Sequence, residues 1–151
     1  MRGKGGEEER QDVSADNNST LREIFRQAPF IADLGLEFRD AGAGWCETEL
    51  AIQRKHLQQD GFVHAGVLAT IADHTAGAAA GTLVTENDRV LTIEFKINLL
   101  RPAKGERLKC RAQVLKPGKT ITVAESEVQS VSGEQTTLVA KATVTLVVIA
   151  K

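Results

Sequence analysis

Between Gly66 and Thr82 the only ionisable residues are Asp73 and His74. The surrounding segment, AGVLATIADHTAGAAAGTL from Ala65 to Leu83, is long enough for about five helical turns. A surface helix carries charges along one face, so this pattern predicts a helix buried nearly all round. At about 100° per residue, Val67, Leu68 and Ile71 fall on one side. Asp73 falls on the other, in a stripe with Gly66, Ala69, Ala76, Gly77 and Ala80. Small residues admit another backbone or a ligand, so the stripe predicts that Asp73 occupies the most closely packed face of the helix. A carboxylate buried there is costly unless it is paired or hydrogen-bonded. Two readings of Asp73 stay open on these grounds. It caps a turn or pairs with a buried Lys or Arg, or it is a general base or nucleophile in a dry cleft.

The rest of the chain reads as one α+β domain. Residues 1–20 are rich in Gly, Glu, Asp and Asn and read as a tail, leaving 21–151 as a single domain. Ser19 and Thr20 are placed to cap a first helix, with Pro29 breaking or kinking it and Gly35 stopping it. Two strand-like pieces follow, Leu36 to Ala41 and Cys46 to Gln53. After the long helix, four strands alternate in polarity across 91–99, 108–114, 120–131 and 136–149 and read as a meander. Strands following strands, rather than alternating with helices, imply an antiparallel sheet.

Lys plus Arg total 19 against 20 Asp plus Glu, a net charge of −1. That leaves no basic excess for nucleic acid. No apolar run approaches the roughly 20 residues of a membrane span, and the N-terminus has no apolar core of a signal peptide. Cys46 and Cys110 stand apart, with no CxxC motif or neighbouring His, so the expectation is a cytoplasmic protein without a metal site.

His64-Ala65-Gly66 places unpaired N–H groups at the positive end of the helix dipole, where a developing oxyanion is stabilised. His64 itself reads as a residue that orients the loop. Ala65 and Asp73 lie eight residues apart, roughly 12 Å along one helix. They cannot meet one carbonyl within a chain, so joint action requires a dimer.

Gln58-x-x-Gly61-x-x-His64-Ala65-Gly66, Asp73 nine positions after the His, and Leu99-Leu100-Arg101-Pro102-Ala103-Lys104-Gly105 together resemble the hotdog-fold thioesterases. Among these it most resembles the PaaI-like branch, the acyl-CoA thioesterases of phenylacetate degradation. The resemblance implies a long helix wrapped by an antiparallel sheet, assembled as a homodimer and further as a homotetramer. It implies hydrolysis of an acyl-CoA to a carboxylic acid and CoA, with no metal and no cofactor beyond the CoA of the substrate. Matched by position, Asp73 is the catalytic acid and the Ala65 N–H polarises the carbonyl. Gln58 orients water or the carbonyl, and Thr92 helps to hold the attacking water. Thr92 stands on the polar side of an alternating strand, so its reach to Asp73 is expected to depend on the dimer partner. Gly66, Phe62 and Gly77 are expected against the acyl group, with Arg101, Lys104 and Lys119 meeting the CoA phosphates. Two alternatives share the fold: a non-catalytic acyl-CoA-binding protein, and a 3-hydroxyacyl dehydratase, for which the His–Asp spacing is unsuited.

Overall fold

Pro29 divides the N-terminal region into two helices rather than kinking one. In the computed structural model, which describes the backbone of residues 8–151 and side chains from residue 18, α1 spans Glu8–Gln27. Ala28 is extended, as a residue before proline prefers, and α2 (Pro29–Leu34) starts with proline at its first turn. Gly35 ends α2 at φ 86°, a left-handed conformation open to glycine, and its N–H closes on the Ile31 and Ala32 carbonyls. The first helix therefore begins upstream of Ser19 and Thr20, in a stretch with neither Gly nor Pro. Residues 1–7 of the expected tail lie outside the described residues.

Six strands follow: β1 (Leu36–Gly42), β2 (Trp45–Ala51), β3 (Asp88–Leu99), β4 (Arg107–Lys116), β5 (Ile121–Ser132) and β6 (Gln135–Ala150). They form one antiparallel sheet in the order β1-β2-β4-β5-β6-β3. The meander expectation fails at β3, which lies beside β6 and not beside β4. Both edges of β4 are occupied, by β2 and β5, so the free edge of β6 is the one that accepts β3. The Leu100 N–H, 2.8 Å from the Val139 carbonyl, carries that pairing past the strand end.

The sheet wraps α3 (Ala65–Gly81), the helix expected from the charge-poor segment. Leu68, Ile71, Ala72, Ala76, Ala79 and Ala80 are buried against the strands, and the alanines let the helix sit close. Two buried hydroxyl systems fix its depth and rotation. Ser126 of β5 donates to the Ala72 carbonyl at 2.7 Å. Thr48 of β2 meets the Thr75 hydroxyl at 2.7 Å, and Thr75 donates on to the Ile71 carbonyl.

The helix is not buried all round. Thr70, Asp73, His74 and Gly77 are only half-buried, whereas Ala76 and Ala80 face the core. Asp73 therefore lies on the open face and not in the most closely packed one. The alanines, not the larger side chains alone, are what the sheet selects, because its concave surface demands close approach. Replacing Ser126 by Ala removes one buried hydrogen bond and should lower the unfolding free energy by about 1 kcal/mol. Urea denaturation measures this; an unchanged midpoint would contradict the clamp.

Candidate active site

One group of candidate residues gathers at the N-terminus of α3. His64 is its N-cap, with Nδ1 accepting the Gly66 N–H at 2.8 Å. A Cβ on Gly66 would stand 3.0 Å from that nitrogen, so glycine lets the cap close. The His64 carbonyl receives the Val67 and Leu68 N–H groups. Among the described residues nothing accepts from the Ala65 N–H, which is left at the positive end of the helix. The loop behind it is held by His56, which is buried between the Gln53 N–H on Nδ1 and the Leu34 carbonyl, 2.7 Å from Nε2. The His56 carbonyl in turn receives the His64 N–H.

Gln58 stands in a tight turn whose Gly61 adopts φ 83°, and its side-chain oxygen accepts the Asp60 N–H. Its amide NH2 remains as a donor. Gln58, Phe62, His64, Ala65, Leu100 and Arg101 are among the walls of a cleft of about 540 Å³.

The second group lies further along α3. Thr92 donates to Asp73 Oδ1 at 2.7 Å, within one chain. This corrects the expectation that a partner would be needed for that contact. The cause is a β-bulge: the β3–β6 register shifts between Thr92 and Glu94, leaving Ile93 unopposed. Residues directly opposite across strands share a face. Thr92 opposes Leu146 and Phe95 opposes Val144, both buried, so the bulge turns Thr92 inward on the same face as Phe95. Strict alternation would have separated them. Among the described residues Asp73 thus makes neither a turn cap nor an ion pair; its partner is a hydroxyl, and Oδ2 accepts from none of them.

Asp73, Thr92, Gly77, Leu21, Phe25 and Leu91 are among the walls of a second cleft, of about 370 Å³. Gly77, a glycine inside a helix, costs about 1 kcal/mol relative to alanine. His74 is there too, edge-on to Phe25 with ring centroids 4.5 Å apart. Its Nε2 is buried and has no hydrogen-bond partner among the described residues. Burial holds its pKa below the ordinary 6.5, against the opposing pull of Asp73.

Eight residues of helix keep Ala65 and Asp73 roughly 12 Å apart. The basic residues are not gathered at one place either. Arg101 borders the first cleft and donates to the Leu138 carbonyl at 3.1 Å. Lys104 is exposed in the loop that follows and lines neither cleft. Lys119 sits in the β4–β5 turn, beside Thr120, whose carbonyl receives the Val148 N–H. Along β6 that is nine residues from Val139, roughly 30 Å away. Among the described residues no three His, Cys, Asp or Glu side chains converge as a metal site. Cys46 and Cys110 are buried, which pushes both thiols up to about 12.

Sequence reasoning missed the contribution of α1 to the second cleft, because nothing in Leu21, Ile24 and Phe25 distinguishes a ligand wall from a core-facing helix. It also missed the outer edge of the sheet. Leu91, Ile93, Phe95 and Leu99 of β3 are 51%, 58%, 40% and 52% exposed, on a strand with one unpaired ladder. An edge of that kind is a template for another strand.

A family model described as the thioesterase superfamily matches residues 60–137, just over half of the chain. A thioesterase family protein from Silicibacter pomeroyi is similar in crystal structure at TM-score 0.86 and 37% identity, over 89% of this chain and 99% of that one. A medium/long-chain acyl-CoA thioesterase of Escherichia coli K12, YigI, is 29% identical over 58% of this chain and 63% of its own length. A phenylacetic acid degradation-related protein of Ralstonia eutropha JMP134 shares the fold at TM-score 0.73 and 24% identity, over 83% and 96% of the two chains. No helix among the described residues is long and apolar enough to cross a membrane.

The unpartnered His74 gives a signed pH effect. Its depressed folded-state pKa means that the unfolded chain binds the proton more readily, so folding loses stability as pH falls through 6.5. Thermal melts of the wild type and His74→Gln between pH 8 and about pH 5 should show the wild type losing more on acidification. Parallel curves would contradict it.

Proposed function

Because the chain belongs to the thioesterase superfamily, a family of thioester hydrolases, we propose that it hydrolyses acyl-CoA thioesters as a homodimer. Each site would combine the α3 N-terminus of one protomer with Asp73 and Thr92 of the other. The observation that carries this reading is the separation of an unpaired helix-end N–H from a hydroxyl-bonded carboxylate, each in its own cleft, on one rigid helix. Neither half is sufficient for acyl transfer. The exposed apolar edge of β3 supplies the joint. Thr92 borders the Asp73 cleft and Leu99 the Ala65 cleft. An antiparallel self-pairing of β3 centred midway between them sets Thr92 of one protomer opposite Leu99 of the other, and so brings unlike clefts together.

In the composite site Asp73 acts as general base. Thr92 occupies Oδ1 and fixes the carboxylate, and Oδ2 takes a proton from water as its oxygen attacks the thioester carbon. The Ala65 N–H receives the oxyanion, assisted by the Gln58 amide, where the helix dipole favours negative charge. Collapse of the tetrahedral intermediate breaks the C–S bond. The proton held by Asp73 passes to the leaving CoA sulfur, and the carboxylic acid is released. Arg101, on the wall of the first cleft, and Lys104, in the loop that follows, would meet the CoA phosphates.

Thiol release from a panel of acyl-CoAs tests the reading. Asp73→Ala should lose about a hundredfold or more of kcat, and undiminished turnover in that variant would overturn the assignment. Ala65→Pro is the sharper variant. His64 already has φ −62° and ψ 138°, which suit a residue before proline, and the first helical position tolerates proline. The substitution deletes one N–H and should lower kcat about a hundredfold, with the melting temperature retained.

A further inference from the structure

We infer that Gly77 and Gly81 measure the acyl chain, and that the preferred substrate is a straight chain of medium length. The inference rests on the acyl-CoA reading above. Asp73, Gly77 and Gly81 stand four residues apart on successive turns of α3, and all three border the same cleft of about 370 Å³. Among the described residues neither glycine is required by packing: a Cβ on Gly77 would come no closer than 4.0 Å to Leu146, and one on Gly81 would meet nothing within 4 Å. No positive φ demands glycine at either position. Gly77 lies inside α3 and Gly81 is its last residue; a glycine that neither backbone nor described neighbours call for leaves open the space a side chain would fill.

That space is a cleft whose walls are mostly apolar. Leu21 and Ile24 of α1 cover one side, and Val90, Leu91 and Leu146 of the sheet the other. At its head stand Asp73 and Thr92, where the thioester carbon would lie. From there the floor runs roughly 6 Å to Gly77 and roughly 12 Å to Gly81. A zigzag chain of bonds about 1.5 Å long at about 111° advances about 1.25 Å per carbon. Counting the thioester carbon as the first, Gly77 therefore lies beside about the sixth carbon and Gly81 beside about the eleventh. Aryl groups, short and wide, would leave the Gly81 end empty.

The ordering of the two glycines makes the test specific. Steady-state kcat/KM is measured for butyryl-, hexanoyl-, octanoyl-, decanoyl- and palmitoyl-CoA on the wild type, Gly77→Leu and Gly81→Leu. Leucine is a good helix former, so both variants keep α3. The wild type should peak at octanoyl or decanoyl. Gly77→Leu should lower the hexanoyl-to-butyryl ratio about tenfold or more, and Gly81→Leu the decanoyl-to-hexanoyl ratio by a similar factor. Gly77→Ala, with one methyl in the same place, should move the profile in the same direction by less, and serves if the leucine variant does not fold. Equal losses at every length, or an unshifted profile in an active enzyme, would overturn the ruler alone. A wild type that releases no thiol at any length would overturn the acyl-CoA reading, and the ruler with it.

Discussion

The placement of α3 on the sheet is fixed by buried hydroxyls immediately beside Asp73, the base of the proposed reaction. Ser126 holds the Ala72 carbonyl, and Thr48 holds Thr75, which grips Ile71. Asp73 lies between these anchors. A helix of alanine and glycine slides and rotates easily on an apolar surface, because small side chains interlock poorly. Directional bonds from β2 and β5 remove that freedom. They turn the alanines inward and leave Asp73, His74 and Gly77 toward the open face. A rotation by one residue, about 100°, would bury the carboxylate against the strands.

The bulge in β3 is the matching constraint on the other side of the cleft. It costs the β3–β6 ladder one regular pairing and reverses the facing of Thr92. The strand then has two duties: its inner face meets the carboxylate, and its outer edge is left unpaired and apolar. Both features suit the proposed site assembled from two chains. An isolated protomer exposes the edge and keeps the two clefts roughly 12 Å apart along α3.

The central helix and the antiparallel sheet were legible because periodicity and missing charge reflect burial directly. The places of His64 and Ala65 at the helix start and of Asp73 within the helix were legible because a helix start and a lone acid are local features. Four things were not. The helical wheel assigned Asp73 to the crowded face, since it cannot distinguish alanines that contact a sheet from alanines that line a cleft. Alternation in β3 misplaced Thr92 because a bulge leaves no mark in residue types. The β3–β6 neighbourhood depends on which strand edges are already taken, a property of the whole sheet. Lys119 was grouped with Arg101 and Lys104 as a basic turn residue, and the sheet sets it at the far end.

Subunit complementation tests the composite site most directly. Asp73→Ala and Ala65→Pro are each assayed alone, then unfolded together in equal amounts and refolded. Random pairing makes about half of the dimers mixed, and each of these carries one site with an intact Asp73 and an intact Ala65 N–H. Thiol release should therefore return to about a quarter of the wild-type level from two nearly inactive parents. A refolded mixture no more active than the mean of its parents would contradict a site shared between subunits.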